Sequence, residues 1–169
     1  MRFERVTYTA FADDIRDFFK VRMTPEKIYE AWNNIKIPER KTRFSAGYDI
    51  CTPVDIIIPQ FSRVVIPTGI KVVFNPDEME SWHLQMYVRS SVGIKNGVVL
   101  TNGTGIIDSD YQFADNDGDM MLALMNTTYE AVEFMAGDRI CQAVFALHGI
   151  TSNDFAFGDR IGGVGSTGR

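Results

Sequence analysis

A mostly β domain with a short helical insertion near its front is predicted by three observations. From about residue 48 onward, short apolar or alternating runs follow one another between glycine, proline and asparagine turn signals. No βαβ alternation is visible there, which disfavours a doubly wound parallel sheet. Helical spacing is confined to a segment at about 11–36.

In chain order, Phe11, Ile15, Phe18, Phe19 and Arg22 follow helical spacing. A second helix is signalled by Thr24, whose hydroxyl can cap a free amide, and by Pro25 at the first helical position, where no N–H is needed. Ile28, Ala31, Trp32 and Ile35 then share one face. Two short helices joined by a tight turn have the outline of a DNA-reading motif. However, Phe11 to Ile37 carries five acidic and five basic residues, so a packed insertion is expected instead. The strand-like runs are Val54–Ile58, Arg63–Ile66, Ile70–Phe74, Leu84–Val88, Val98–Leu100, Met120–Met125 and Ile140–Leu147. Their number and spacing fit a sandwich, a barrel or a jelly roll.

The 169 residues suffice for one domain with a real core. A net charge of -5 leaves no basic footprint, which argues against a nucleic-acid polymer as partner. A small anionic nucleotide needs only a local positive site. Cys51 and Cys141 sit in apolar surroundings without metal-ligand spacing, and are expected to be buried free thiols suited to a reducing cytoplasm. Neither a signal peptide nor an apolar run of membrane-spanning length is read, so no membrane partner is expected.

Polar clusters interrupt the strands. Ser45-Ala-Gly-Tyr-Asp49, Arg89-Ser90-Ser91, Gly105-Ile-Ile-Asp108-Ser-Asp110-Tyr111 and Gly137-Asp-Arg139 each read singly as a turn, a strand end or a hairpin. Together they supply what a triphosphate hydrolase needs. Arg89, Ser90 and Ser91 offer donors for phosphate oxygens, Asp49 and Asp108 are two well-separated carboxylates, and Asn102 to Tyr111 offers backbone edges and a flat ring. The tail Asp159–Arg169 contains Gly163-Val-Gly165-Ser-Thr-Gly168, a literal dinucleotide fingerprint. That motif needs a helix behind it to present amides to phosphate, and one residue follows.

In order and spacing these clusters resemble the five motifs of the trimeric dUTP pyrophosphatase (dUTPase) family. Pro38-Glu-Arg40-Lys-Thr42 with Ala46-Gly-Tyr-Asp49 is similar to the first, and Val88-Arg-Ser-Ser-Val-Gly93 to the second. Asn102 with Gly105-Ile-Ile-Asp-Ser-Asp-Tyr111 is similar to the third, Gly137-Asp-Arg-Ile-Cys-Gln142 to the fourth, and Gly162-Gly-Val-Gly-Ser-Thr-Gly168 to the fifth. The resemblance implies a single jelly-roll-like domain over residues 1–169 and a homotrimer with active sites between subunits. It implies hydrolysis of dUTP to dUMP and pyrophosphate with Mg²⁺. By position, Asp108 would be the general base for the attacking water and Asp49 would hold water ligands of the metal. Ser90 would donate to the leaving pyrophosphate. Arg89, Ser91, Arg139 and Gln142 would line or brace the phosphate region. Asn102, Gly105, Ile106 and Ile107 would read the uracil edge, with Met121 beside them and the ring of Tyr111 against the deoxyribose. Residues 159–169 would form a flexible flap, with Arg160, Val164, Gly165, Ser166 and Thr167 reaching the substrate.

The sequence departs from this pattern in places. Val164 stands where the family usually has an aromatic ring that stacks on uracil, and Arg160 lies one residue nearer the glycines. Phe113-Ala-Asp-Asn-Asp117 is inserted after the third motif. The acidic run Asp115-Asn-Asp-Gly-Asp119 lacks the closing Glu of a calcium loop and reads as a solvated hairpin tip. A relative of dCTP deaminases is one alternative. A nucleotide-responsive regulator that contacts an unidentified protein partner is the other.

Overall fold

The computed structural model describes residues 1–19 and 22–163. Among these, the order of elements is β1 (Arg2–Arg5), α1 (Tyr8–Asp14), α2 (Pro25–Asn33), β2 (Tyr48–Cys51), β3 (Ile56–Ile58), β4 (Arg63–Pro67), β5 (Ile70–Val73), β6 (Trp82–Val88), α3 (Ser90–Asn96), β7 (Val98–Leu100), β8 (Gly105–Ile107), β9 (Met121–Asn126), β10 (Val132–Phe134) and β11 (Arg139–Leu147). A π turn (Ile15–Phe19) continues α1, and a 3₁₀ turn (Ser109–Phe113) follows β8. The mostly β expectation with a helical front holds.

Among the described residues all the strand pairs are antiparallel. The sheet that carries most polar clusters has the order β2-β11-β6-β8, and a second has the order β4-β9-β7. Two ribbons, β1-β5 and β3-β10, complete the set. Alternation sets the buried face: in β9, Leu122 and Leu124 are fully buried while Met121 and Ala123 face the other way. A register shift near the start of β11 leaves two successive residues, Ile140 and Cys141, both buried. One continuous core joins these strands to Phe11, Ile15, Phe19 and Ile28 of the helical segment.

The second helix starts as predicted: Thr24 accepts from the amide of Lys27, and Pro25 is its first residue. Thr7 caps α1 likewise through the amide of Ala10. The helices pack on their own chain. Gly69, at φ +67°, makes the close approach possible, because a Cβ there would lie 2.2 Å from Cδ1 of Ile35 and 3.1 Å from Cδ2 of Phe11. Trp32 donates its indole N–H to the carbonyl of Val6 at 2.8 Å, with the guanidinium of Arg5 over its ring.

The acidic run is not a solvated tip. Asp119 is fully buried, and its Oδ1 accepts from the Gly69 amide at 2.8 Å and from Thr68 Oγ1 at 3.3 Å. Asp117 accepts from the Thr7 amide at 2.7 Å and pairs with Lys71 at 2.7 Å. Burial opposes the Asp117 charge, but Lys71 and the Thr7 amide outweigh it and hold the carboxyl below its ordinary range. The run folds inward because partners distant in sequence satisfy its carboxylates, and a local pattern carries no sign of them. Gly118 permits the turn at φ +73°, where a Cβ would meet Gln112 Cα and the Tyr111 carbonyl oxygen at 3.0 Å each.

The expectation of two buried thiols also needs correction. Cys141 is fully buried, which pushes its thiol up to about 12, whereas Cys51 at the end of β2 is only partly buried. Both are free thiols. Among the described residues no helix is long and apolar enough to cross a membrane.

Candidate active site

The predicted site residues fall into two groups. The first grows from β8. Gly105 and Ile107 point into the core while Ile106 is exposed, as strand alternation requires. Asp108 leaves the strand in extended conformation and opens the 3₁₀ turn, so the segment is a strand plus turn and not a hairpin. Ser109 Oγ donates to the Met79 carbonyl at 2.7 Å, and Gln112 Nε2 donates to Ser109 O at 2.9 Å, which pins this turn. Tyr111 is buried and donates its hydroxyl to the Asp119 carbonyl at 3.1 Å; burial pushes its phenol up.

Arg160 closes over this group. Its Nη2 lies 2.6 Å from Oδ2 of Asp108, its Nε lies 2.7 Å from Oδ1 of Asp110, and its guanidinium sits 5.4 Å from the centre of the Tyr111 ring. Burial works against the arginine's charge, but the Asp110 hydrogen bond and both carboxylates prevail and raise its pKa. The described part of the tail is also held by Asp115, whose amide donates to Ile161 O and whose Oδ1 accepts from the Gly163 amide, both at 3.1 Å.

Asn102, Gly105, Ile106, Ile107, Asp108, Tyr111, Met121 and Arg160 line one cavity of about 340 Å³. Phe18, Val65, Met86, Ala123 and Gly163 complete the wall. Sequence reasoning missed Val65 and Ala123, which face each other across the β4-β9 ladder and are marked by no motif. It also missed Asp110 as a partner of Arg160. Phe18 belongs to the expected helical spacing, and no motif gives it a role. A neighbouring cavity of about 370 Å³ is lined by Asp13, Asp14, Asp17, Asp115 and Asn116, again with Phe18 and Gly163. Burial raises Asp14 to about 6 there, against the Asn116 hydrogen bond and helped by the charges of Asp17, Asp13 and Asp115.

The second group lies on β2, β11 and the exit of β6. Asp49 faces Gln142 in register. Its carboxylate pairs with Arg89 Nε at 3.1 Å and with Arg139 Nη1 at 2.8 Å. Arg89 also donates to the Arg139 carbonyl at 3.3 Å. Ser90 and Ser91 open α3 directly after Arg89, with Ser90 exposed. Beside them, Lys36, Lys41, Asp49 and Arg139 border a cavity of about 460 Å³.

The two groups sit at opposite ends of β6. Ile107, next to Asp108, faces Leu84, and Arg89 lies five positions further along. At about 3.4 Å per residue the two ends are separated by about 17 Å along the strand. Val164, Gly165, Ser166 and Thr167, together with most of the expected flap, lie outside the described residues.

Among the described residues no group of three or more His, Cys, Asp or Glu side chains could cage a metal. Mg²⁺ characteristically uses one or two carboxylates plus substrate phosphates and keeps its waters. Asp49 suits that use: its two oxygens accept from arginines and still have lone pairs for a metal-bound water.

Comparison with known proteins gives the family. A family model described as dUTPase matches residues 33–167. The deoxyuridine 5'-triphosphate nucleotidohydrolase of Lactococcus lactis subsp. lactis is 39% identical over 137 residues, covering 79% of this chain and 89% of the relative. That of Actinobacillus pleuropneumoniae serotype 5b is 37% identical over 145 residues, covering 81% and 90%. The crystal structure of dUTPase from Streptococcus mutans superposes with a TM-score of 0.67 at 28% identity, over 90% of this chain and all of that one. A sheet carrying two polar groups at its two ends, and a match extending over most of the sequence, lead to one assignment: the chain belongs to the dUTPase family.

Proposed function

We propose that the chain hydrolyses dUTP to dUMP and pyrophosphate, at sites completed between copies of itself in a homotrimer. The observation that carries this reading is the division of polar groups between the two ends of β6. The cavity at β8, with aliphatic walls and backbone edges, suits a base and sugar. The basic side chains Lys36, Lys41 and Arg139, with Arg89 on the same Asp49 carboxylate, outnumber the carboxylates Glu39 and Asp49 beside them and suit a triphosphate. Head-to-tail packing of copies round a closed ring juxtaposes opposite ends of neighbouring subunits.

In such a site Asp108 accepts the proton of the water that attacks the α-phosphorus. Its carboxylate is exposed, so it is available once Arg160 moves aside. Ser90 donates to the bridging oxygen as negative charge grows on the leaving pyrophosphate, and Arg89, Ser91 and Gln142 orient the phosphates. Asp49 would hold Mg²⁺ through water, and the ion would supply neutralisation of phosphate charge when bound. Backbone groups of Asn102 and Gly105 to Ile107 pair with the uracil edge, and a base with the opposite pattern leaves them unpaired at a steep cost. The Tyr111 ring packs on the deoxyribose and excludes a 2′-hydroxyl. The tail 159–169, on a single domain 1–169, closes the site after the nucleotide binds. Reduced thiols at Cys51 and Cys141 suit a cytoplasmic protein.

Pyrophosphate release with Mg²⁺ across dUTP, dCTP, dTTP and UTP tests this reading. Turnover of dUTP at least about 100-fold above the other three is expected. Ammonia release from dCTP, or tight dUTP binding without turnover, would overturn it.

A further inference from the structure

We propose that Phe18, carried by the N-terminal helical segment, is a base-contacting residue that presents an aromatic face to the nucleotide in the β8 cavity. The inference rests on the reading of that cavity as the base and sugar site. Two rings line the cavity among the described residues, Phe18 and Tyr111. Tyr111 is assigned to the deoxyribose, and its hydroxyl is held on the Asp119 carbonyl, which leaves Phe18 as the ring free to meet the base. The ring of Phe18 is 37% exposed and has no ring–ring or cation–π partner among the described residues.

Its placement follows from the backbone. In an α-helix, residues three apart lie about 60° apart, so Ile15 and Phe18 would share the buried face. The chain instead widens into a π turn over Ile15–Phe19, which keeps Ile15 at 0% and Phe19 at 8% exposure and turns Phe18 toward the cavity. Single π turns within helices are often found at functional sites. The turn is anchored against β4 through the buried Ile15 and Phe19, so the ring is held by the fold. Of the other lining side chains, Val65, Met86 and Met121 offer aliphatic or thioether surface, which can cover a base but cannot stack on it, and the Arg160 guanidinium is held on Asp108 and Asp110. Phe18 also lies outside residues 33–167, so this wall is an addition to the part of the chain matched by the family model.

The test compares full-length wild type with Phe18→Ala, Phe18→Leu and Phe18→Tyr. Binding of dUMP and of pyrophosphate is measured by calorimetry, with thermal melting as the check on folding. Loss of a base-stacking ring should weaken dUMP by about 5- to 20-fold in Phe18→Ala. Phe18→Leu should lose most of that affinity too, while Phe18→Tyr stays within about threefold of wild type and pyrophosphate binding is unchanged throughout. Should Phe18→Ala fail to fold, the contrast between Phe18→Leu and Phe18→Tyr decides the same question. Equal dUMP affinity in all folded variants would overturn the role of Phe18 alone. Folded wild type that binds no deoxyuridine nucleotide would overturn the site reading with it.

Discussion

If each active site takes Asp108 from one copy and Ser90 from its neighbour, two inactive variants should rescue one another. Both side chains are exposed, so Asp108→Asn and Ser90→Ala leave the core untouched. Removing the base should cost about 10²- to 10⁴-fold and removing the leaving-group donor about 10²- to 10³-fold, so either variant alone retains at most about 1% of turnover. The geometry then fixes the recovery. In a ring of three, a site is intact only when its Asp108 donor carries the Ser90 change and its Ser90 donor carries the Asp108 change. Random 1:1 mixing satisfies both conditions at about one site in four, so about a quarter of wild-type specific activity should return. Mixed rings purified through two affinity tags each hold one intact site, which is about one third of wild type. Pyrophosphate release after co-expression is a suitable assay. Activity no higher than the mean of the two parents would refute an inter-subunit site, because about 17 Å along β6 would then have to be bridged within one chain.

Other perturbations follow from single contacts. Arg160→Ala should loosen the tail where Arg160 grips Asp108 and Asp110; both carboxylates are exposed, so the grip is worth about 1 kcal/mol and proteolysis of residues 150–163 should rise about fivefold. Gly118→Ala should destabilise by about 2–4 kcal/mol in chemical denaturation, because the new Cβ meets backbone atoms at 3.0 Å and the residue sits at φ +73°. Asp14→Asn should stabilise the protein at neutral pH: a folded-state carboxyl raised from 3.8 to about 6 contributes stability in full below pH 3.8 and loses it as pH rises through about 6. The ceiling of that loss is about 3 kcal/mol, reduced to about 1 kcal/mol by water in the open acidic cavity; the stabilities of the two proteins should separate progressively between about pH 4 and 6 and stay apart above that, and an offset unchanged across pH 4 to 6 would refute the assignment.

Much of the fold was legible because burial imposes period on sequence. The runs in β4, β5, β6, β7, β9 and β11 carry enough apolar residues to reveal themselves, and the Thr24-Pro25 start of α2 is written in two residues. The elements that escaped notice are short or polar. β8 is three residues whose middle side chain is exposed, and β2 holds Asp49 and Tyr48 on a strand whose pairing with β11 is seen only in three dimensions. The polar clusters were visible as residue types at a spacing. Their division between two ends of a sheet was not, since it depends on register: Ile107 faces Leu84, whereas Gln142 faces Asp49.

The two segments left without a role by sequence, the helices and the acidic run, turn out to depend on each other. Asp117 takes the Thr7 amide at the start of α1, Asn116 donates to Asp14 at its end at 3.4 Å, and Asp119 accepts from the Gly69 amide on which the helices rest. The same run holds the tail through Asp115. A carboxylate run of this kind would be solvated without such partners, and the helices could not approach as closely with a side chain at Gly69. Each therefore lowers the cost of ordering the other. Coupling of this kind predicts that loss of the Asp117 contacts will be felt at Phe18, on the far side of α1, as well as at Lys71. Asp117→Ala should accordingly weaken dUMP binding by a few-fold in wild type but not in Phe18→Ala, a non-additivity that independent roles for the two segments would not produce.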